Sequence, residues 1–319
     1  MENTQRLEIE PEELLVIPTK SRYDLSIQKW GSEREAKARF LSKRKWGDVV
    51  EGDQIQKRNI QRIKEGPYGK NMIDRGLLTP DMIARYKVFC SLGGDNHFTH
   101  CSQRVLQYSK DHPGEEKYMM GTILDSDRSH GGILYFGVGD MMESAKLGLL
   151  VEEWTTLEAI VHNQEGIKVP YNAVSDFFIG EYSNLFMSRG DVFNNEIFDD
   201  LDKDCEPVMP EKSSGILVVT GAGSGEGSWY NNIHRCYFDK PDEFERSSDI
   251  ARVILRENQT KSKRDLVKGE VLYIDSYNDD QGIIAPDSHK EHGEDFSIGA
   301  RAQIKISDLK LKVLRPYNN

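Results

Sequence analysis

The sequence has no long hydrophobic run and few cysteines, and each absence excludes a class of protein. The apolar run Ile216–Val219 is far shorter than the roughly 20 residues of a membrane-spanning helix, so we expect no membrane span. No Cys-x-x-Cys pair occurs among the four cysteines, which argues against a zinc ribbon or a disulfide framework and predicts reduced, mostly buried thiols. The cysteines are Cys90, Cys101, Cys205 and Cys236. Residues 1–13 are polar and acidic, unlike a secretory signal, and predict a cytoplasmic protein.

The chain also lacks an excess of positive charge. It has 42 Lys and Arg against 53 Asp and Glu, a formal net charge of -11, whereas a general nucleic-acid binder needs dense basic residues against phosphate. We therefore expect no nucleic-acid partner. Basic residues nevertheless outnumber acidic ones over residues 20–64, and residues 191–211 are strongly acidic. This asymmetry either steers an anionic ligand toward the N-terminal half or reflects solvated helix faces.

The length of 319 residues favours two domains, and the first half alternates strand and helix signals. Residues 14–17 are apolar and predict a strand. Residues 32–65 predict helix interrupted at Gly47 and ended by a Gly-Pro pair. Residues 86–92 predict a second strand that runs through a tight turn into a helix over residues 97–109, and residues 118–124 predict a third strand. This succession predicts an α/β domain.

The second half shows alternating polar and apolar residues with frequent turns. The pattern predicts a β-rich domain. The strand-like segments are residues 151–161, 173–181, 215–220, 271–275 and 302–314. Residues 241–263 are charged and predict a helix with a loop, and residues 279–295 predict a polar turn region.

The sharpest local signal is Gly93-Gly94-Asp95-Asn96, which directly follows the second predicted strand. Two glycines permit positive φ and close approach of the backbone to a phosphate, and a helix N-terminus after them favours an anion. A carboxylate at this point can accept a proton from a substrate hydroxyl. Gly-Gly-Asp is also an ordinary turn sequence, so the motif alone leaves both interpretations open.

In this context the turn resembles the Gly-Gly-Asp-Gly signature of NAD kinases, which diacylglycerol kinases, sphingosine kinases and phosphofructokinases share. Three further segments are similar to NAD kinase motifs in the same order: residues 125–131 to the second glycine-containing loop, residues 173–180 to the Asn-Glu segment, and residues 213–224 to the adenine-contacting loop. The segments 19–23 and 59–63 are closest to the mitochondrial-type branch. The resemblance covers most of the chain.

The resemblance implies a Rossmann-like α/β domain over residues 1–140 and a β-sandwich domain over residues 141–319, with a nucleotide in the cleft between them. It implies an NAD kinase-like phosphotransferase in which Asp95 helps deprotonate the adenosine 2′-hydroxyl of NAD. ATP or polyphosphate would donate the phosphate with Mg²⁺, and the protein would be a homodimer or homotetramer. The implied nucleotide-binding residues are Gly93, Gly94, Asn96, Arg128, Ser175, Asp176, Thr220, Gly221, Gly223 and Ser224; metal ligands stay unknown.

Several positions depart from the family pattern. Asn96 replaces the last glycine, Ser175-Asp176 replaces Asn-Glu, and Glu226 adds an acid to the adenine loop. These changes favour two alternatives: a catalytically weak or inactive nucleotide-binding regulator, or a kinase of another nucleoside-like substrate. Arg128 either binds phosphate or pairs with Asp125 or Asp127.

Two histidines follow the Gly-Gly-Asp turn. His97 and His100 together with Asp95 suggest a metal site, but no third ligand stands at a fixed spacing. We therefore expect them to be core or helix-surface histidines.

Overall fold

A computed structural model describes residues 6–40, 43–128, 131–183, 187–193, 207–209, 212–279 and 281–317. Its helices are α1 (Arg22–Trp30), α2 (Glu33–Ala38), α3 (Lys43–Glu65), α4 (Pro80–Arg85), α5 (Asp95–Asp111), α6 (Val138–Leu147) and α7 (Trp229–Phe238). The strands in the first half of the chain are β1 (Arg6–Leu7), β2 (Leu14–Pro18), β3 (Val88–Gly93), β4 (Tyr118–Ile123), β5 (Phe136–Gly137), β6 (Leu149–Trp154), β7 (Leu157–Asn163) and β8 (Gly166–Lys168). Those that follow are β9 (Asp176–Glu181), β10 (Ser188–Phe193), β11 (Lys212–Ser213), β12 (Ile216–Val219), β13 (Ile250–Leu255), β14 (Lys263–Val267), β15 (Leu272–Ser276), β16 (Gly282–Pro286), β17 (Glu294–Asp295), β18 (Arg301–Ile306) and β19 (Leu311–Pro316).

The chain divides into two compact units. Unit 1 comprises residues 1–101, 114–152 and 312–319, and unit 2 comprises residues 102–113 and 153–311. The predicted domain boundary near residue 140 stays a prediction. Within the described residues, no helix is long and apolar enough to cross a membrane.

Unit 1 is built on one mixed sheet with the strand order β1-β6-β19-β4-β3-β2, and β5 also pairs with β4. The strands β2, β3 and β4 are parallel neighbours, and every residue of β3 is buried. Parallel strands covered on both faces read as continuous apolar runs rather than alternating ones. This is why the first three strands were predictable, and the predicted α/β architecture is confirmed.

The helical segment before β3 differs from its prediction at one point. The sequence predicts an interruption at Gly47, but α3 runs through it without a break, and the chain is instead non-helical at Arg39 and Phe40, directly after α2. The neighbours of Gly47 explain the difference. Trp46 and Val49 are buried in a small cluster with Ala36, and Phe40 packs against it. This packing offsets the helix cost of one glycine, which is about 1 kcal/mol relative to alanine.

Gly47→Ala is therefore expected to stabilise the protein by about 0.5–1 kcal/mol, because nothing lies within 4 Å of the added Cβ and the helix gains propensity. A matched control is Gly31→Ala. Gly31 also has open space around it but has φ +80° at the C-terminus of α1, so alanine there is expected to destabilise. Urea unfolding measures both, and shifts of the same sign would contradict the interpretation.

Unit 2 is a β-sandwich of two antiparallel sheets, as predicted. One sheet has the order β11-β10-β15-β18-β7-β8 and the other β14-β13-β12-β9-β16-β17. Their inward side chains form one apolar core, in which Phe177 and Phe296 are among the largest fully buried residues. Alternation along β7, where every second residue from Leu157 to Val161 is buried, is the half-buried strand pattern. The core therefore accounts for the period-2 pattern of the second half.

Two predictions in unit 2 were wrong. Residues 241–263 are not a helix: they contain β13 and the start of β14. The charge that suggested a helix belongs partly to Arg252, whose guanidinium pairs with Asp242 at 2.6 Å and with Asp265 at 3.1 Å. Residues 279–295 are not only turn, because the fully buried strand β16 lies within them. A five-residue apolar run between turn residues is too short to identify by periodicity.

Cys90, Cys101 and Cys236 do not form disulfides. Cys90 and Cys101 are buried and Cys236 is exposed on α7, in line with the prediction of mostly buried thiols. Cys205 lies outside the described residues, as do residues 194–206 of the acidic segment.

Candidate functional site

Unit 1 contains a cavity of about 790 Å³ at the carboxyl ends of its parallel strands. This volume lies within the range of small-molecule sites, and the crevice outside the carboxyl ends of parallel strands is where α/β sheets bind ligands. The lining residues come from the segment after β2, from α3, from the turn after β3 and from the loop after β4: Thr19, Arg22, Phe40, Lys45, Asp48, Val49, Glu51, Gly52, Asp53, Gln56, Gly93, Gly94, Leu124, Asp125, Asp127 and Arg128. The helix α3 was not predicted to contribute.

The predicted glycines Gly93 and Gly94 both line this cavity. Gly93, however, does not have the positive φ that we expected of it. A Cβ at Gly93 would lie 3.0 Å from the Cβ of His97 and 3.1 Å from that of Thr19, so close packing within unit 1 favours glycine there. His97 itself is buried, and its Nε2 lies 2.8 Å from the carbonyl oxygen of Ile17. The expectation that His97 is a core histidine is confirmed.

Asp95 is the first residue of α5. Its carboxylate accepts hydrogen bonds from the backbone N–H of Gly132 at 3.0 Å and of Ile133 at 3.4 Å. The Gly-Gly-Asp turn is thereby hydrogen-bonded to the second glycine-containing segment. The sequence motifs gave the order of these two segments along the chain but did not show that they are in contact. Neither Asp95 nor the exposed Asn96 belongs to the described lining of the cavity, and their roles stay predictions.

Arg128 is paired with carboxylates. Its Nη1 lies 3.1 Å from Oδ2 of Asp125, and its Nη2 lies 2.7 Å from Oε2 of Glu51 on α3. The ion pair with Asp125 was one of our two interpretations of Arg128. The partner Glu51 was not foreseen, because nothing in the local sequence relates residues 77 positions apart.

The cavity also presents oxygen atoms that suit a divalent cation. Asp125 is buried, and its Oδ1 has no hydrogen-bond partner among the described residues. Asp48 and Asp127 add carboxylates to the same lining. Mg²⁺ prefers oxygen ligands and is held by one or two carboxylates plus substrate phosphates. The donor set therefore fits the metal that the resemblance implies.

In unit 2 the structure brings together the two predicted segments around Ser175 and Thr220. Oγ1 of Thr220 donates a hydrogen bond to the carbonyl of Val174 at 2.6 Å, and the backbone N–H of Thr220 donates to the carbonyl of Ser175 at 2.9 Å. A Cβ at Gly223 would lie 2.3 Å from the carbonyl oxygen of Ser175. The loop that follows β12 is therefore packed directly against the predicted Ser-Asp pair.

The remaining residues of this loop are buried as well. A Cβ at Gly221 would lie 2.0 Å from the carbonyl oxygen of Glu245, and Oγ of Ser224 donates to the carbonyl of Gly221 at 2.8 Å. Oγ of Ser224 also accepts from the N–H of Phe244 at 3.0 Å. Close internal packing therefore accounts for both glycines. Their predicted contact with a nucleotide stays a prediction.

Sequence reasoning missed Asp287, which organises the same segment. Its carboxylate accepts hydrogen bonds from the backbone N–H groups of Val174 at 3.0 Å, Ser175 at 2.6 Å and Asp176 at 3.1 Å, and from Nε2 of Gln103 at 2.6 Å. Burial raises the pKa of Asp287, and these hydrogen bonds oppose that rise. Asp287 has φ 50°, typical of a tight turn. The Pro-Asp-Ser sequence at 286–288 was the available turn signal.

The predicted site residue Asp176 lies in an environment that disfavours its charged form. Burial, and then the charge of Asp287, raises the pKa of Asp176 to about 7, against the opposing effect of Arg256. Its Oδ1 is buried and has no hydrogen-bond partner among the described residues. Carboxyl groups with displaced pKa values and unsatisfied oxygens are typical of ligand-binding positions.

This acid predicts a pH-dependent stability. Because Asp176 titrates near 7 when folded and near 3.9 when unfolded, the folded protein binds the extra proton between these values, and stability falls as pH rises through this window. Asp176→Asn is therefore expected to raise the free energy of unfolding by on the order of 4 kcal/mol at pH 8 and to change it little at pH 4. Urea unfolding at both values measures this.

The difference between wild type and variant reports Asp176 together with its interaction with Asp287, because the raised pKa of Asp275 and of Glu294 affects both proteins alike. Asp308→Asn, at a side chain that is 92% exposed, is the matched control and is expected to show no such difference. An equal gain at both pH values would contradict the assignment.

The acid that the adenine loop adds is directed outward. The side chain of Glu226 is 82% exposed and lies 3.7 Å from a guanidinium nitrogen of Arg235. Beside this loop Trp229 is half exposed at the start of α7, with the guanidinium of Arg256 at 4.4 Å from its ring centre. Because the Glu226 carboxylate is exposed to solvent, its charge is largely screened.

These features define a class of protein: an α/β unit with a Gly-Gly-Asp turn at a cavity of small-molecule size, and a β-sandwich unit with a buried acid beside a glycine-rich loop. No protein-family model and no curated protein matches the sequence. Solved structures show that the fold is that of the NAD kinases. The chain is similar to yeast NADH kinase complexed with NADH, with 12% identity and a TM-score of 0.63, covering 100% of this chain and 89% of that one.

It is also similar to an NAD kinase from Archaeoglobus fulgidus in complex with ATP, with 12% identity and a TM-score of 0.54, covering 95% of this chain and 93% of that one. At this identity the likeness establishes the fold. The predicted resemblance to the NAD kinase superfamily is confirmed at that level, and the mitochondrial-type branch stays a prediction.

Proposed function

We propose that the protein is an NAD kinase-like phosphotransferase that phosphorylates the adenosine 2′-hydroxyl of NAD to give NADP, with ATP or polyphosphate as donor. The observation that carries the proposal is the cavity beside Gly93 and Gly94 in a fold shared with NADH kinase and NAD kinase. Phosphoryl transfer depends mainly on positioning and on stabilisation of charge, which is the role proposed for this cavity.

The residues have distinct roles in this proposal. Gly93 and Gly94 bring bare backbone to the phosphates, and Arg128 binds a phosphate oxygen. Asp95 accepts the proton of the attacking hydroxyl, and its carboxylate also accepts hydrogen bonds from the backbone N–H groups of Gly132 and Ile133. These backbone hydrogen bonds also set the orientation of the carboxylate.

The unit 2 residue Asp176 contacts the ribose hydroxyls of the nucleotide. A carboxyl group with a pKa near 7 both accepts and donates hydrogen bonds at neutral pH. Mg²⁺ bound with the donor would neutralise the charge of the transferred phosphoryl group, and Asp125 and Asp127 are the residues that would hold it.

A second candidate is a nucleotide-binding regulator without turnover. The observation that favours it is the engagement of both Asp95 oxygens by backbone N–H groups, which leaves fewer lone pairs for a base. The two candidates separate in one experiment: NADP formation from NAD with Mg-ATP or polyphosphate, alongside calorimetric titration of NAD and NADP. Turnover supports the kinase. Tight binding without product supports the regulator, and product from another nucleoside in a substrate panel would redirect the assignment.

The predicted homodimer or homotetramer belongs to the same proposal. Sedimentation of the purified protein tests it directly, and a monomer at all concentrations would remove it.

A further inference from the structure

The pairing of Arg128 is asymmetric. Its partner Asp125 has a side chain only 5% exposed, while its other partner, Glu51, has one that is 64% exposed. The Arg128 side chain itself is 34% exposed and faces the cavity. One carboxylate is therefore built into the protein, and the other reaches the guanidinium from the solvent side.

The two contacts differ in how readily they exchange. An ion pair between exposed side chains contributes little and is screened by salt, so the Glu51 carboxylate leaves at small cost. If Arg128 left Asp125, it would leave an unpaired charge in the protein interior, which is costly. The contact between Asp125 and Arg128 is therefore retained. Exchange at Nη2 therefore leaves the guanidinium in place.

The position that Glu51 occupies is suited to a phosphate oxygen. Arginine presents a planar fork of N–H donors that matches carboxylate and phosphate alike. The helix α3 is bare beside it, because Gly52 has no side chain and a Cβ there would lie 3.5 Å from Cδ of Arg128. The Glu51 carboxylate therefore occupies the position at Nη2 of Arg128 where a phosphate oxygen of a ligand would bind.

We propose that Glu51 is a specificity residue of this cavity: its carboxylate occupies Nη2 of Arg128, and a ligand phosphate binds by replacing it. The inference rests on the proposed function in one respect, because that function determines which nucleotides are tested. A phosphate with more than one charge is attracted to the guanidinium more strongly than a singly charged carboxylate is, so it replaces Glu51 more readily. The cavity thereby favours multiply charged phosphates over singly charged carboxylates.

The test is calorimetric titration of inorganic pyrophosphate, ATP and NAD into wild type, Glu51→Gln, Arg128→Gln and the double variant. Removing the competitor is expected to tighten pyrophosphate binding about two- to fivefold in Glu51→Gln, the scale of an exposed ion pair. In the Arg128→Gln background the same change is expected to have no such effect. Glu165→Gln, an equal change of charge at an exposed residue paired with Lys168, is the matched control.

Comparison of ATP with NAD identifies the source of the phosphate, because the nucleotide whose affinity rises in Glu51→Gln is the one that contacts Arg128. Unchanged or weaker pyrophosphate binding in Glu51→Gln overturns the inference, as does an equal gain in the Arg128→Gln background. If wild type forms NADP but the pyrophosphate affinity of Glu51→Gln does not rise, the inference fails and the proposed function stands. If pyrophosphate binding tightens while no nucleotide binds, the proposed function fails and the inference stands. Thermal unfolding of each variant confirms that it is folded.

Discussion

Asp95→Asn is expected to lower kcat for NADP formation about 10²- to 10⁴-fold, the usual contribution of a general base. The amide removes the proton acceptor, and its NH₂ group also faces the N–H of Gly132 or Ile133, where the carboxylate had accepted both hydrogen bonds. The measurement is steady-state NADP formation together with calorimetric affinity for NAD.

The affinity measurement separates two roles of Asp95. A loss confined to kcat identifies a base, whereas an equal loss of NAD affinity identifies a residue that only holds the segment at Gly132. Asp111→Asn is the matched control: it makes the same chemical change in the last residue of α5, at an exposed side chain bonded to Gln107, and is expected to leave kcat unchanged. A kcat of Asp95→Asn within about threefold of wild type would remove Asp95 from the mechanism.

Asp287→Ala is expected to reduce the free energy of unfolding by on the order of 3–5 kcal/mol. The substitution leaves the N–H groups of Val174, Ser175 and Asp176 without their acceptor, and each orphaned buried donor costs about 1–3 kcal/mol. Alanine also tolerates the φ of 50° at this position less well than aspartate. Urea unfolding at neutral pH is the measurement.

Two further variants define what Asp287 does. Asp308→Ala, at an almost fully exposed side chain, is the control and is expected to change stability by less than about 0.5 kcal/mol. Asp287→Asn keeps one acceptor oxygen and removes the charge that raises the pKa of Asp176, so the stability window assigned to Asp176 is expected to move to lower pH. A decrease of less than about 1 kcal/mol in the free energy of unfolding of Asp287→Ala would show that residues 174–176 keep their conformation without Asp287.

The parts of the fold that were predictable have local causes. The run from β3 through Gly93 into α5 combines a buried apolar strand, two glycines and a helix within about 25 residues, and each signal depends only on its neighbours. The failures have tertiary causes. The helix α3 continues through Gly47 because Trp46 is buried against other helices, and β13 forms although Arg252 is charged, because Asp242 and Asp265 pair with it.

The candidate site divides in the same way. Sequence motifs singled out Gly93 and Gly94, which line the cavity, because both lie within a short segment whose order along the chain is informative. The roles of Asp95 and Asp176 stay predictions. The motifs did not locate Glu51 or Asp287, which act through contacts across 77 and 113 positions of sequence.

By itself the sequence determined that the chain forms an α/β region and a β-rich region and has a Gly-Gly-Asp turn before a helix. Hydrophobic periodicity and turn residues act over a few positions, and those signals suffice for elements of this kind. Only the tertiary structure decided that Arg128 is bound by Glu51, that Asp287 holds the backbone before Asp176, and that Asp176 titrates near neutrality. Burial and the proximity of charges arise from packing between distant segments. The identity of an aspartate in the sequence does not tell whether its carboxylate is solvated or buried.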